Sequence, residues 1–208
     1  MDVYYFFVNT ADVTCVNTAD TTGALQKSQL EMILDTVYPV TGNHMPFTTL
    51  ITPNRGLKMY ITETNPLNAY QVMFNAIEHH IIPETGNIWT NYSPCPDCIA
   101  ALFKHYNKPD DDKPTIHVAR IYTKGSSFSD AVETLQCLAK LVHAGFSVVP
   151  WNFNEFKDHS SFIHESCKTE IDTYVGSEKF SKEYLELVDH VGFIDQLSQN
   201  PHVNSWCE

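Results

Sequence analysis

Apolar residues recur every three or four positions in several segments of the chain, a period that is typical of amphipathic helices. In the first of these segments Leu30, Leu34 and Val37 share one helix face, and the segment ends just before Pro39. The last two such segments fill most of the final quarter of the chain. We therefore predict helices over 25–37, 67–82, 95–106, 128–143, 155–169 and 178–196.

Runs rich in β-branched and aromatic residues lie between these helices and predict five strands. They are found at 47–52, 57–62, 87–92, 115–122 and 146–151. Turn-forming residues join the first two strands and predict a hairpin, whereas helices separate the later strands, which we expect to be parallel. This order predicts an α/β sandwich with a five-stranded mixed central sheet and about six flanking helices.

The two ends of the chain differ in pattern from its middle. The pentapeptide Val-Asn-Thr-Ala-Asp occurs at 8–12 and again at 16–20, and its polar residues favour turns. Residues 1–8 are apolar but contain no Lys or Arg, so we interpret them as a strand or packing segment and not as a signal peptide. We divide the chain into an irregular lead-in, a main domain and a helical extension packed on that domain, at 1–22, 23–170 and 171–208.

Acidic residues outnumber basic ones by 25 to 13 in the 208 residues, and the formal net charge is −12. A duplex DNA partner is disfavoured, because such proteins neutralise phosphates with basic side chains. This net charge still allows a local basic groove that binds single-stranded nucleic acid or a nucleotide, and it also allows a protein partner. No apolar run reaches the ~20 residues of a membrane helix, so we expect no membrane contact. The six cysteines are too irregular for a disulfide scaffold, and we expect a reduced, intracellular protein of the cytoplasm or nucleus.

Cys95 and Cys98 are the residues with the strongest chemical signal. Two cysteines three positions apart at a helix start place both sulfurs near the positive end of the helix dipole, which favours thiolate. Thiolates bind Zn²⁺ or attack disulfides, so the pair predicts a zinc site or a redox dithiol. Two merely buried cysteines are the plain alternative. A hairpin and a helix precede the pair where a thioredoxin core would have a strand–helix–strand unit, which weighs against redox chemistry.

The sequence around this pair resembles the AID/APOBEC-like branch of the zinc-dependent cytidine deaminases. Pro94-Cys95-Pro96-Asp97-Cys98 is similar to half of the deaminase signature, whose other half is His-x-Glu on the preceding helix. Residues 91–95 look like the family's Ser-Trp-Ser-Pro-Cys, and 118–122 resemble its Ala-Arg-Leu-Tyr strand. The similarity continues through the Ala-Gly strand near 145 and spans about 45–168. It implies a three-layer fold, zinc, and conversion of cytosine to uracil in single-stranded nucleic acid or a nucleotide.

The His-x-Glu half of that signature is missing before Cys95. The best alignment puts Asn68 where the family has its zinc-binding His and Tyr70 where it has its proton-shuttling Glu. An alternative alignment on Asn75 and Ile77 leaves too few residues for a helix, a turn and a strand. An amide is a poor substitute for imidazole, and a phenol with a pKa near 10 is a poor proton shuttle at neutral pH. We therefore expect a pseudo-deaminase with a binding or scaffolding role, and hold an active zinc deaminase and a CxxC redox protein as alternatives.

The resemblance also implies residues around a substrate pocket. Tyr92 would form the pocket floor, Trp151 its rim, and Tyr122 would begin the loop that contacts a neighbouring nucleotide. Arg120 is one of few cations in this part of the chain, although pairing with an acidic residue of the fold would explain it equally well. Aromatic residues at strand ends more often belong to the core.

Overall fold

The computed structural model of the chain describes nine longer segments, one pair of residues and one single residue. These are 4–9, 12–17, 47–52, 58–62, 87–90, 92–106, 113–122, 128–158, 169, 172–173 and 175–206. The strands are β1 (Tyr4–Asn9), β2 (Asp12–Asn17), β3 (Phe47–Thr52), β4 (Lys58–Thr62), β5 (Asn87–Thr90), β6 (Thr115–Val118) and β7 (Ser147–Pro150). The helices are α1 (Pro96–His105), α2 (Phe128–His143), α3 (Phe153–Asp158) and α4 (Glu178–Ser198), and a 3₁₀ turn follows at Val203–Ser205. The helices predicted over 25–37 and 67–82 lie outside these residues.

The seven strands form one mixed sheet in the order β2-β1-β4-β3-β5-β6-β7. β5, β6 and β7 are parallel, as predicted, because α1 and α2 cross between them. β3 and β4 pair antiparallel, which confirms the predicted hairpin. The chain is thus a mixed α/β protein whose parallel strands form one end of the sheet.

The sheet has two strands more than the five predicted, and both lie within the lead-in at 1–22, of which only residues 1–8 were interpreted as a possible strand. β1 and β2 pair antiparallel, and β1 also pairs parallel with β4. The physical reason lies in the composition of the segment. Its apolar runs contain the β-branched and aromatic residues that favour strands, and the polar residues of the repeat fall between two such runs.

The parallel strands end earlier than predicted, while the helices agree closely with the sequence pattern. β6 stops at Val118 and not at residue 122. The neighbouring strand β5 ends at Thr90, and the carbonyl of Arg120 accepts a hydrogen bond from Ser93, which lies outside both strands. α2 covers 128–143 as predicted, and α4 extends two residues beyond its predicted end. The helix predicted over 155–169 begins at Phe153, and 159–168 lie outside the described residues.

One hydrophobic core lies between the parallel strands and helices α1 and α2. Ile88, Ile116 and Val148 are register neighbours on one face of the sheet, and all three are buried. They pack in one cluster with Leu102 of α1 and Leu138 of α2. The alternation of the strands places Trp89 and His117 on the opposite face, where their rings stack 3.6 Å apart.

Helix α4 and the residues after it pack against α2. Leu187, Val191 and Ile194 recur at helical spacing and belong to the same core cluster. The Lys140 ammonium of α2 donates a 2.9 Å hydrogen bond to the carbonyl of Trp206. Among the described helices, none combines the length and the apolar character that crossing a membrane would need.

Cys137 of α2 is disulfide-bonded, whereas the sequence led us to expect reduced cysteines. Its side chain is buried. Cys95 and Cys98 are free thiols. Disulfide connectivity depends on distances in the folded chain, which irregular cysteine spacing does not reveal.

Candidate functional site at the start of helix α1

Helix α1 begins at the cysteine pair because its first residues satisfy the backbone groups at a helix start. Cys95 has extended backbone angles and occupies the N-cap position, and its sulfur accepts a 3.3 Å hydrogen bond from the amide of Cys98. Pro96 follows at the first helical position, where its missing N–H costs nothing. The cap therefore fixes the Cys95 sulfur at the positive end of the helix.

The two thiols differ strongly in acidity although they lie one helical turn apart. The pKa of Cys95 is lowered, chiefly because the Cys98 thiol donates a hydrogen bond to its sulfur. The pKa of Cys98 is raised, first by burial and then by that same bond and the charge of Cys95. Cys98 is 0% exposed and Cys95 is 5% exposed. When the pair loses one proton, Cys95 therefore holds the negative charge.

Ser93 connects the segment before α1 to the loop that follows β6. Its amide donates a 2.7 Å hydrogen bond to the carbonyl of Arg120, and its side-chain oxygen accepts a 2.9 Å bond from the amide of Tyr122. Ser93 is fully buried. We did not predict this role from the sequence, although a Ser-Pro dipeptide directly before the first cysteine was a visible signal.

Tyr122 is the predicted pocket residue that the structure places beside the sulfurs. Its pKa is raised by partial burial and then by the negative charges of Cys95 and Cys98. Its ring meets that of Tyr92 edge-on, with 6.4 Å between the centroids. Both rings are half-buried. The Tyr122 ring therefore lies near the cysteine pair and in contact with the Tyr92 ring.

Arg120 and Trp151 have other surroundings. The Arg120 guanidinium lies 3.5 Å from the Glu183 carboxylate, so it pairs with an acidic residue of α4. Trp151 is 0% exposed and stacks on Phe153, with 5.0 Å between the centroids and 6° between the planes. It also contacts Trp89 at 5.8 Å. The structure therefore brings Tyr122 to the cysteines, places Tyr92 against Tyr122, and puts Trp151 in the core.

Among the described residues, the sulfurs of Cys95 and Cys98 are the two atoms at this site that could bind a metal ion. A structural zinc site needs four protein ligands and a catalytic one three. No group of three or more His, Cys, Asp or Glu side chains in the described part of the chain could hold a metal ion. Asn68 and Tyr70 lie outside that part. The described residues alone therefore do not complete a zinc site, although thiolates are ligands that zinc prefers.

Comparison of the whole chain with protein-family models gives no match. Comparison with curated proteins gives no match either. The functional argument therefore depends on the residues around α1 and on their resemblance to the deaminase signature.

Proposed function

We propose that the chain is an AID/APOBEC-like deaminase-fold protein that has lost efficient zinc-hydrolase activity and acts by binding. Its fold would be the three-layer sandwich of that family, with the parallel strands at its centre. Its partner would be a single-stranded nucleic acid or nucleotide, or a protein that uses this fold as a scaffold. Its place in the cell would be the cytoplasm or the nucleus.

The observation that carries the proposal is the arrangement of Cys95, Cys98 and Tyr122. Both thiols lie at the start of a helix that follows a parallel strand, and a phenol lies beside them on the loop after the next strand. Deaminases use this combination of a Pro-Cys-x-x-Cys helix start and aromatic walls to receive a nucleobase. The arrangement supports a nucleobase-sized ligand beside the Tyr92–Tyr122 ring pair.

The loss of catalysis is inferred from Asn68 and Tyr70. Removing a general acid–base group costs about 10²–10⁴ in rate. Replacing a metal ligand as well weakens the binding of the ion that generates the nucleophile. A phenol and an amide would leave a site that holds a ligand but does not activate water.

Restoring the missing half of the signature tests this assignment. In the double variant Asn68→His/Tyr70→Glu we expect zinc binding close to one ion per chain and measurable release of uracil from a cytosine oligonucleotide. The matched control is Asn75→His/Ile77→Glu, which makes the same chemical change at the alternative alignment. Activity in the control alone would overturn the alignment, and no gain in zinc from either folded variant would overturn the family assignment.

A second candidate function is disulfide chemistry at Cys95 and Cys98, favoured by the unequal acidity of the two thiols. The Cys95 thiolate would attack one sulfur of a disulfide such as oxidised glutathione and release one thiolate. The deprotonated Cys98 would then displace the second thiol and close the Cys95–Cys98 disulfide. The Cys98→Ala variant should then accumulate a mixed disulfide with glutathione at Cys95. An unmodified Cys95 in intact-mass analysis would refute this candidate.

A further inference from the structure

A cleft of about 300 Å³ lies next to the loop that carries Arg120. Its walls come from the loop after β6, from α2 and from α4. Its apolar surface is formed by side chains of all three, including Ile121, Leu135 and Leu187. The volume is at the lower end of the range for small-molecule sites, which fits one flat ring with a short substituent.

The charged residues of the cleft have a net negative sum. Arg120 and Glu183 form an ion pair and offset each other. Glu186 lies one turn further along α4 and also lines the cleft. Within the described ranges, no side chain forms an ion pair or hydrogen bond with its carboxylate. One carboxylate next to an apolar wall therefore remains available to a ligand.

His190 is the other titratable group that lines the cleft, and it lies one turn beyond Glu186 on the same helix. Counted with histidine neutral, as in the formal charge of the chain, the charged side chains that line the cleft sum to −1. The whole chain, at −12, adds a field of the same sign. Both the local and the overall charge favour a positively charged ligand over an anion.

We propose that this cleft is a binding site for a small organic cation, an ammonium or amidinium group on a flat apolar body. The cation would contact the Glu186 carboxylate, and its apolar body would lie against Leu135 and Leu187. The site differs from the cysteine pair in position and in chemistry. It does not depend on the proposed function, because Glu186, Leu135 and Leu187, which would contact the cation, lie outside the motifs that resemble the deaminases.

Three probes of the same size and different charge test the proposal. Benzamidine is cationic, benzamide is neutral and benzoate is anionic at pH 7, and each can be titrated into the full-length protein and followed by amide NMR shifts. We expect benzamidine to bind up to about fivefold more tightly than benzamide, since an exposed charge pair contributes up to about 1 kcal/mol. Benzoate should produce no saturable shift.

Two variants locate the binding, and a third is the control. Glu186→Gln should weaken benzamidine about fivefold and leave benzamide unchanged. Ala131→Phe, which fills the cleft from α2, should weaken both probes. The control Asp195→Asn removes one carboxylate from an exposed position of α4 that does not line the cleft, and it should leave binding unchanged.

Equal affinity for benzamidine and benzamide would overturn the proposal, as would loss of binding in Asp195→Asn equal to that in Glu186→Gln. Glu186 is exposed, so we expect the Glu186→Gln variant to fold. The test can therefore be carried out with that variant even if Ala131→Phe does not fold. N-acetyl-arginine amide serves as a further probe. If it bound more than about tenfold tighter than benzamidine, the cleft would be assigned to a protein segment and the proposal would be wrong.

Discussion

Ser93 offers the most direct test of how the candidate site is held together. Its side-chain oxygen is the acceptor for the amide of Tyr122, and the serine is fully buried. Replacing Ser93 by Ala removes the acceptor and leaves that amide without this bond next to the cysteines. A buried donor that loses its acceptor costs about 1–3 kcal/mol. The Tyr122 amide is only partly buried, so we expect the lower half of this range, about 1.5 kcal/mol.

Urea denaturation measures this difference. With an m value of about 3 kcal/mol/M for a chain of this size, a loss of about 1.5 kcal/mol lowers the midpoint by about 0.5 M. The matched control is Ser181→Ala, which removes the hydroxyl of an exposed serine on α4 that bonds only to the carbonyl of Ser177. We expect its free energy of unfolding to change by less than about 0.5 kcal/mol.

A second measurement on Ser93→Ala reports on the site itself. The loop that carries Tyr122 should lose protection, so the amide of Tyr122 should exchange its hydrogen faster than in the unmodified protein while amides of α2 change only with global stability. Equal urea midpoints for Ser93→Ala and Ser181→Ala, with unchanged hydrogen exchange at the Tyr122 amide, would refute the argument. The Ser93–Tyr122 hydrogen bond would then not hold the loop against the start of α1.

Three further predictions concern charge and packing around the site. Because the pKa of Cys95 is lowered and that of Cys98 is raised, iodoacetamide should alkylate Cys95 in preference to Cys98, with a pH midpoint below that of a free cysteine. A midpoint at or above the free value would contradict the thiolate assignment. Arg120→Ala should change the free energy of unfolding by less than about 1 kcal/mol, since the side chain of its partner Glu183 is 33% exposed. A loss above about 2 kcal/mol in a thermal or urea melt would contradict this expectation. Trp151→Ala should cost about 3–5 kcal/mol because the ring is fully buried, and a near-unchanged urea midpoint would show that the ring is not in the core.

The sequence predicted the parallel half of the fold well, because local signals and long-range packing agree there. α2 has a regular apolar stripe, and Gly145 just after it has φ of +95°, a conformation that glycine adopts at low cost. The start of α1 was predicted within one residue from Pro96 and the cysteines, since both signals act within a single turn.

Predictions failed where the outcome depends on partners distant in the chain. Residues 119–122 continue the alternating pattern of β6, yet β5 beside them ends at Thr90, and the backbone groups of Arg120 and Tyr122 bond to Ser93. Alternation reports which face a side chain takes and gives no information on when a ladder ends. Similarly, the sequence identified Arg120 as a cation of interest, but its partner Glu183 lies 63 positions later.

The candidate site was predicted only in part for the same reason. The spacing of Cys95 and Cys98 identified the pair, because two thiols at a helix start are a local feature. The position of Tyr122 beside them depends on how the loop after β6 folds back over that helix start. Trp151 was expected at the pocket rim from its place at a strand end, but burial against Phe153 depends on the chain direction after β7.

The central claim is that the chain has a deaminase fold without efficient zinc chemistry. The zinc content of the purified, unmodified protein tests this claim most directly. It is measured by elemental analysis, and uracil release from a cytosine oligonucleotide is measured on the same protein. The account predicts far less than one zinc per chain in a folded protein and no uracil above the uncatalysed background. One tightly bound zinc per chain that is lost in Cys95→Ala, accompanied by uracil release, would contradict it.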